Sequence, residues 1–438
     1  MQVAEQTGAT HPVAPESLEA SGLNIGIVTQ LALKTLLFTG DLTGADLATK
    51  LGLPFTVIAP ALELLKAERQ VEVKGAAMVA GASYRYRITD AGRARAALFL
   101  EQSHYVGAAP VPFEQYRRYM EAFRKASPRA NREAVRGAYS HLILSPRVLD
   151  QIGPAVNAGH SMFIYGSPGN GKTVISQGIR RLLQGELAVP HALEVEGNII
   201  RLFDPVVHEP VHQAASATWL DEGARLDARW VRCKRPMVMV GGELTLDQLD
   251  LRYNPAAGFY RAPVQATANG GVLVIDDFGR QTCSPRELLN RWTVPLESGV
   301  DFLTLQTGQK IDFPFNVMIV FATNLMPSSL LDEAFIRRIK YKVRAENPSR
   351  EQFLQIFENC CRDRSIDYRA SVVSNLIDTY YGPRGIELRG CQPRDLLNQA
   401  ASLAQYLETP FELSAELLEA ACDSYFLQGE QVSSEVAE

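Results

Sequence analysis

Apolar and polar positions follow a helical spacing in the first part of the chain and an alternating spacing soon after it. Three stretches within residues 25–68 have the helical spacing, and the second of them ends at Gly52. The runs 70–74 and 83–89, joined by a Gly/Ala-rich turn, predict a two-stranded hairpin. Three helices followed by a hairpin predict a winged helix over residues 22–103.

Changes in hydrophobic periodicity and composition divide the rest of the chain into segments. Residues 1–21 and 429–438 lack hydrophobic periodicity and are predicted to be disordered tails. Residues 104–140 run from a Pro-rich stretch into a charged helix and are predicted to be a linker. Strands and helices alternate over residues 141–345, which predicts an α/β fold with a parallel sheet between helices. Residues 346–428 are predicted to form a helical subdomain.

Composition narrows the class of protein. The 438 residues are 46% apolar and 21% charged, with a net charge of −5 and a pI near 5.9, so a polyanion is not the default partner. The six cysteines have no paired CxxC spacing, as is typical of a reducing compartment. No leader peptide and no apolar run long enough for membrane insertion is visible, so we expect a cytoplasmic protein.

The strongest motif follows the apolar strand 161–165. Residues 166–173 match GxxxxGK[ST] and lead directly into a helix, which is the setting that a phosphate-binding loop requires. Backbone N–H groups and the helix N-terminus would surround the phosphates of ATP, Lys172 would reach the β and γ oxygens, and Thr173 would bind Mg²⁺. The predicted nucleotide-binding residues are Gly166, Ser167, Pro168, Gly169, Asn170, Gly171, Lys172, Thr173 and Val174.

A second apolar strand, residues 271–275, ends in two carboxylates. It would bring Asp276 to the carboxyl edge of the sheet, where Asp276 would hold Mg²⁺ together with Thr173. Asp277 stands where ATPases of this kind commonly have a glutamate that polarises the attacking water. Because aspartate is one methylene shorter, either the water lies closer or turnover is slow.

A third strand, residues 315–323, ends in Asn324. An apolar strand followed by Ala-Thr-Asn resembles the sensor 1 pattern of AAA+ ATPases, and the order and spacing of the three motifs agree with that family. The resemblance covers residues 141 to 428. It implies a P-loop NTPase domain with a C-terminal α-helical lid, and it implies that Asn324 orients the lytic water.

Two further positions follow from the same resemblance. In AAA+ proteins an arginine at Arg337 or Arg338 projects into the neighbouring subunit's site, and Arg338 is favoured because it precedes an apolar residue that opens the next strand. The alternative is a basic helix end that complements its own dipole. Arg394 matches the sensor 2 position of the lid, although it could simply pair with a local carboxylate.

The subgroup is indicated by a predicted hairpin over residues 299–314, just before the sensor 1 strand. It resembles the pre-sensor 1 hairpin of the AAA+ branch that includes MoxR-type ATPases. Phe259 and Tyr260 lie where that branch has loops facing the central pore, and they are either a pore-loop pair or a buried pair. The GAFTGA sequence of the transcription activators in this branch is absent.

Residues 208–212 spell HExxH, which on a helix would bind Zn²⁺. Pro210 fits poorly in a helix interior, and a strand and a turn precede the motif. A metalloprotease is therefore not favoured.

Residues 22–103 resemble the winged helix-turn-helix modules of bacterial regulators. The start of the third helix, residues 53–60, offers almost no side chain that could read a base, although Arg85 and Arg87 lie on the predicted wing. Docking of a protein or packing between subunits is therefore favoured over binding to DNA.

Together these features predict an ATP- and Mg²⁺-dependent ATPase that forms a ring, with a hexamer expected because the arginine must act in trans. The expected function is remodelling or assembly of a protein client, similar to that of predicted bacterial chaperone ATPases. Two alternatives remain. One is a DNA-associated regulator or motor that uses the winged helix, and the other is a scaffold that binds ATP without hydrolysing it.

Overall fold

The computed structural model of the chain describes residues 11–74, 81–126, 129–211, 226–330 and 333–426. The chain folds into two compact units. Unit 1 consists of Met1–Arg129, Leu183–Val274 and Gln281–Ile319, and unit 2 consists of Ala130–Leu182, Ile275–Arg280 and Val320–Glu438. The α/β segment predicted as one subdomain over residues 141–345 is therefore divided between the two units.

The first part of unit 1 contains the helices and the hairpin that the sequence predicts there. The elements are α1 (Leu18–Ser21), α2 (Ile25–Thr39), β1 (Leu42–Thr43), α3 (Gly44–Leu51), α4 (Phe55–Ala67), β2 (Val71–Lys74), β3 (Arg85–Ile88) and α5 (Asp90–Gln102). Asn24 and Thr43 cap α2 and α3 through their side chains, and Gly52 ends α3 with φ 64°. Strands β1, β3 and β2 pair antiparallel in that order.

Residues 11–21 pack against the rest of unit 1, although the sequence predicts a disordered tail there. Ser21 in α1 is buried, its carbonyl accepts a hydrogen bond from Arg229 Nη1 (3.1 Å), and the Pro12 carbonyl accepts one from the Asp227 N–H (2.9 Å). The predicted disordered tail is therefore wrong for residues 11–21. Residues 1–10 and the tail predicted over 429–438 lie outside the described residues.

The predicted linker over residues 104–140 is part of a core instead. The next elements are β4 (Val111–Pro112), α6 (Phe113–Ala126), α7 (Arg132–Ala138), α8 (Pro146–Ala158), β5 (Met162–Tyr165) and α9 (Lys172–Leu182). Helix α6 buries Tyr116, Met120 and Phe123 in the core of unit 1. The charged residues that suggested a linker lie on the opposite, exposed face of this helix.

A mixed sheet forms the centre of unit 1. The next elements are β6 (Glu186–Pro190), β7 (Ala192–Val195), β8 (Asn198–Arg201), β9 (Trp230–Lys234), β10 (Met237–Val240), β11 (Arg252–Asn254), β12 (Phe259–Arg261), α10 (Val264–Thr267) and β13 (Val272–Ile275). The sheet has the order β11-β12-β8-β7-β4, and β6 pairs with β9 in a separate ribbon. Ala192 and Ile199 of this sheet pack into the same apolar cluster as α2, α3 and α4.

A second sheet carries the motifs found in the sequence. The next elements are α11 (Pro285–Ser298), β14 (Val300–Thr304), β15 (Lys310–Pro314), β16 (Met318–Thr323), α12 (Pro327–Leu330), α13 (Glu333–Arg338) and β17 (Tyr341–Arg344). Its strand order is β10-β13-β16-β5-β17, and β5 pairs in parallel with both β16 and β17. Every residue of β13 and β16 is buried, as expected for central strands covered on both faces. The fold is thus α/β with a parallel sheet and helices, as predicted.

The C-terminal part of unit 2 consists of helices between residues 350 and 425, inside the range 346–428 that the sequence predicts to be a helical subdomain. Its helices are α14 (Arg350–Asp363), α15 (Ala370–Leu376), α16 (Gly382–Arg384), α17 (Gln392–Tyr406) and α18 (Ala415–Tyr425). They share one apolar core that includes Phe353, Tyr381 and Leu397. Within the described ranges, no single helix is long and apolar enough to cross a lipid bilayer.

Candidate nucleotide-binding site

The loop between β5 and α9 has the backbone that its sequence predicts. Gly166, Gly169 and Gly171 all have positive φ (143°, 84° and 72°), which other residues adopt rarely. A Cβ on Gly166 would lie 2.4 Å from the Ala345 carbonyl oxygen, and one on Gly169 would lie 2.5 Å from Cys391 Sγ. Only glycine therefore fits these two positions. The loop ends at the first residue of α9, so the helix N-terminus faces it.

Lys172 is folded back over this loop. Its Nζ donates hydrogen bonds to the carbonyl oxygens of Gly166 (2.9 Å) and Ser167 (2.8 Å), and the residue is only 7% exposed. Burial lowers the pKa of Lys172, while the charges of Asp277 and Asp276 act in the opposite direction. The ammonium group is thus close to both carboxylates and to the loop.

The two predicted Mg²⁺ ligands are brought together. Thr173 Oγ1, in the first turn of α9, donates a hydrogen bond of 2.8 Å to Asp276 Oδ2, just after β13. Among the described residues there is no cluster of three or more His, Cys, Asp or Glu side chains that could hold a metal by itself. One hydroxyl and one carboxylate beside a phosphate-binding loop fit Mg²⁺, which usually binds to few protein oxygens and to substrate phosphates.

Asp277 and Asn324 also meet. Asn324, just after β16, donates from Nδ2 to Asp277 Oδ1 at 3.2 Å. The Asp277 N–H donates to Asp276 Oδ1 (3.1 Å), and Asp277 has the left-handed φ of 48°. The Thr323 hydroxyl donates to the Phe278 carbonyl (2.7 Å) and joins the two strand ends. Lys172, Thr173, Asp276, Asp277 and Asn324 therefore form one cluster.

The two candidate arginines of α13 differ in exposure. Arg337 is exposed, whereas Arg338 is half-buried, with its guanidinium carbon 5.7 Å from the centre of the Phe335 ring. Ile339 after them is fully buried and fixes the end of the helix. Residue 332, at the start of the predicted segment, lies outside the described residues. Action of either arginine in a neighbouring subunit stays a prediction.

Arg394 lies in the first turn of α17 and pairs with its neighbour. Its Nε is 3.0 Å from Asp395 Oδ1, the hydrogen bond to this carboxylate raises the pKa of Arg394, and the side chain is 61% exposed. The local ion pair that the sequence left as an alternative is therefore present. Contact of Arg394 with a nucleotide remains untested.

Residues just before α17 contact the phosphate-binding loop, and sequence reasoning missed them. The Cys391 N–H donates to the Gly169 carbonyl (2.8 Å), and the Gly390 N–H donates to Asn170 Oδ1 (3.3 Å). The Arg389 Cβ is 3.8 Å from the position that a Cβ on Gly169 would take, and the charge of Arg389 contributes to lowering the pKa of Lys172. The sequence does contain this second arginine, five residues before Arg394. Its position beside the loop follows only from folding, so the sequence alone gave no reason to choose it.

A cleft beside the loop is a second feature that was missed. It is lined by apolar Ile143, Val148 and Ile356 and by the amides of Asn170 and Asn347. Asn170 Nδ2 donates to Asn347 Oδ1 at 2.6 Å, which closes one side of the cleft. Apolar walls with a few amide groups suit a planar heterocyclic base.

Comparisons with known proteins add little beyond this geometry. Residues 349–424 match a family model described as a domain of unknown function, DUF8689, and no curated protein sequence matches the chain. Among solved structures, the chain is similar to a point mutant of RuvB from Thermotoga maritima (14% identity, 68% of this chain, 73% of that chain, TM-score 0.37). It is also similar to NtrX from Brucella abortus in complex with ATP (13% identity, 74% and 61%, TM-score 0.39). These scores are too low to transfer any property.

The structure also describes the predicted hairpin and the Phe259–Tyr260 pair. The hairpin predicted over residues 299–314 is present as β14 and β15, paired from Val300↔Pro314 to Thr304↔Lys310. Phe259 and Tyr260 belong to β12. Tyr260 is 3% exposed and accepts a hydrogen bond at Oη from the Gln306 N–H (3.0 Å), so the pore-loop interpretation is wrong for Tyr260, whereas Phe259 is half-buried.

The HExxH sequence does not lie on a helix. His208 is buried, its Nδ1 accepts from the Asp204 N–H (2.9 Å), and Pro210 forms an isolated antiparallel bridge with Cys233. Residue 212 lies outside the described residues. The extended backbone at Pro210 does not present the helical face that a zinc protease requires.

Proposed function

We propose that this protein is an AAA+ ATPase that hydrolyses ATP with Mg²⁺. The observation that carries the proposal is the linked set of side chains after β5, β13 and β16. Thr173 is bonded to Asp276, and Asp277 is bonded to Asn324. A loop that binds phosphates without hydrolysing them would not need the pair formed by Asp277 and Asn324.

The residues of the cluster have separable tasks. The loop N–H groups and Lys172 hold the phosphates, and Asp277 accepts a proton from the attacking water while Asn324 holds its carboxylate in place. Thr173 and Asp276 would hold Mg²⁺, which neutralises charge that develops on the phosphate oxygens. The cleft at Ile143 and Ile356 would receive the adenine base.

The Asp277→Asn variant tests hydrolysis directly. We expect kcat for ATP to fall about 100-fold or more, because general-base catalysis contributes about that factor, while ATP binding is retained. Release of phosphate and binding of a fluorescent ATP analogue would be measured. Asp312→Asn, an equal change at an exposed position of β15, is the control. A wild-type rate in Asp277→Asn would remove Asp277 from the mechanism and favour a scaffold that only binds ATP.

We also propose that the chain acts as a ring, with Arg338 rather than Arg337 completing the site of the next subunit. A hexamer in the cytoplasm that remodels a protein client is consistent with the hairpin before the sensor 1 strand and with the MoxR-like resemblance.

The alternative of duplex binding by the winged helix has less support. The start of α4 contacts the rest of the winged helix and the segment before it. Phe55 packs against Gly44 and Gly81, and the Thr56 hydroxyl donates to the Glu16 carbonyl (3.3 Å). A recognition helix must leave this end free to enter a major groove.

A further inference from the structure

Three arginines lie side by side across the central sheet of unit 1. Arg201 of β8 pairs in register with Arg261 of β12, and Arg261 pairs in register with Arg252 of β11. Paired positions on neighbouring strands share a face of the sheet, and all three residues are exposed. With strands about 4.8 Å apart, this arginine row spans about 10 Å.

The arginine row is not explained by the stability of the fold. Like charges directly opposite each other on neighbouring strands are destabilising. In the part of the chain that the structure describes, none of the three arginines has an ion pair with a carboxylate. The chain as a whole has a net charge of −5, so the row does not simply reflect a basic composition. A local concentration of positive charge of this kind attracts an anion.

A cavity of about 340 Å³ opens beside Arg201. Its other polar groups include His104 and His191, and it has no carboxylate among its lining residues. Burial, with a smaller contribution from the charge of Arg201, lowers the pKa of His191, so this imidazole is neutral at pH 7 and can donate or accept a hydrogen bond.

Aromatic rings form the wall of this cavity. The Tyr105 and Phe259 rings meet edge to face with centroids 6.0 Å apart, and the Phe203 ring lies 5.3 Å from that of His191. The Tyr105 hydroxyl is already used, because it donates to the Ala108 carbonyl (2.7 Å). One face of the Phe203 ring is already stacked on a buried histidine, so the rings offer their remaining apolar faces and edges, which suit stacking with a planar base.

We propose that this cavity and the arginine row bind a nucleoside phosphate, with the base against the rings and its phosphate at Arg201 and Arg261. The ligand is either a free nucleotide or one unit of a single-stranded nucleic acid. The length of the row, which exceeds the size of one phosphate, suits a chain that carries more than one. The site lies wholly within unit 1 and is distinct from the phosphate-binding loop of unit 2.

Two probes distinguish the sources of the ligand, both used with full-length Lys172→Ala protein so that the phosphate-binding loop does not compete. One is etheno-AMP, followed by its fluorescence, and the other is fluorescein-labelled single-stranded dT15, followed by anisotropy. We expect Arg201→Gln to weaken binding about tenfold and to reduce the salt dependence. Arg93→Gln removes the same charge from an exposed position of α5 and should leave binding unchanged.

Binding of either probe that is lost in Arg201→Gln and kept in Arg93→Gln supports the site. Etheno-AMP alone would identify a free nucleotide as the ligand, and dT15 alone would identify a strand. No binding of either probe, or equal binding by both arginine variants, would overturn the proposal. The Phe203→Leu variant separates stacking from charge when inorganic phosphate is used as a third ligand. It should weaken binding of etheno-AMP and dT15, which both carry bases, and leave binding of inorganic phosphate unchanged.

Discussion

Arg389 and Arg394 lie near the start of the same helix but in different surroundings. Arg394 is mostly exposed and pairs with Asp395, whereas Arg389 lies beside Gly169 of the phosphate-binding loop. An exposed ion pair contributes little energy. Arg389 is half-buried and its charge acts on Lys172 of the loop, so water would screen its attraction for bound phosphates less strongly.

We therefore predict that Arg389→Ala weakens ATP binding about tenfold, which corresponds to about 1.4 kcal/mol. Arg394→Ala, the matched control, should change the Kd less than about twofold. Titration of a fluorescent ATP analogue would give both constants. The reverse order of effects would support Arg394 as the lid arginine that contacts the nucleotide.

Lys34 is a buried lysine whose charge affects the stability of the fold. It is fully buried in α2, and its Nζ donates to the Ser103 carbonyl (3.0 Å). Burial lowers the pKa of Lys34 to about 8. An unfolded lysine has a pKa of about 10.4, so between these values the unfolded state binds more protons than the folded state. The free energy of unfolding must then rise with pH across this window.

The Lys34→Met variant should remove this dependence. The wild-type free energy of unfolding should rise with pH, whereas that of Lys34→Met should not. We therefore expect the value for Lys34→Met minus the value for the wild type to fall by on the order of 1–3 kcal/mol between pH 7.5 and pH 10. Urea unfolding at several pH values would measure it, with Lys50→Met at an exposed position of α3 as control. A constant difference between Lys34→Met and wild type would show that Lys34 titrates normally.

The sequence alone was sufficient to locate those site residues whose position follows from the strand that precedes them. Lys172, Asp276 and Asn324 each follow a buried strand, and neighbouring strands bring them to one edge. Arg389 and the cleft at Ile143 could not be found in this way, because they reach the site only through the packing of distant segments in unit 2. Tyr260 shows the same limit, since its burial depends on the register of β12 with β8 and β11.

Among the elements, α6 was the one most misjudged. Its charges suggested a linker, but amphipathic helices at the edge of a core have the same composition. Tyr116 is 2% exposed and its hydroxyl accepts a hydrogen bond from Asn269 Nδ2 (2.9 Å), while the Tyr119 hydroxyl accepts one from the Ala188 N–H (2.8 Å). The helix is thus tied to the strands of unit 1 by both apolar and polar contacts.

Truncation of the buried face of α6 tests this role. We predict that Phe123→Ala lowers the free energy of unfolding by about 3–5 kcal/mol, because it removes a buried ring and leaves a cavity. Arg118→Ala on the exposed face of the same helix should cost less than about 0.5 kcal/mol. Urea unfolding of both variants would compare them. A small effect of Phe123→Ala would return α6 to the status of a linker.

At the scale of the whole molecule, the proposed function requires a second copy of the chain to complete the site. If Arg338 acts in trans, a subunit that lacks Asp277 can still supply Arg338 to a neighbour that retains Asp277. Two variants that are inactive alone should then support one another.

We predict that Arg338→Ala and Asp277→Asn each lose most ATPase activity, and that an equimolar mixture recovers part of it. The recovery should increase with protein concentration, because assembly is needed. Phosphate release and sedimentation velocity would be measured on the same samples. Additive residual rates in the mixture, with no recovery, would mean that each site is built from a single chain.

The left-handed backbone at Asp277 limits which residues this position can accept. Aspartate and asparagine tolerate this conformation better than longer side chains, because their short polar groups bond locally. A glutamate would gain reach toward a water molecule, although it adopts this backbone less readily. The left-handed backbone thus favours the shorter acid at position 277, and Asp277→Glu would show whether added reach toward the water outweighs that preference.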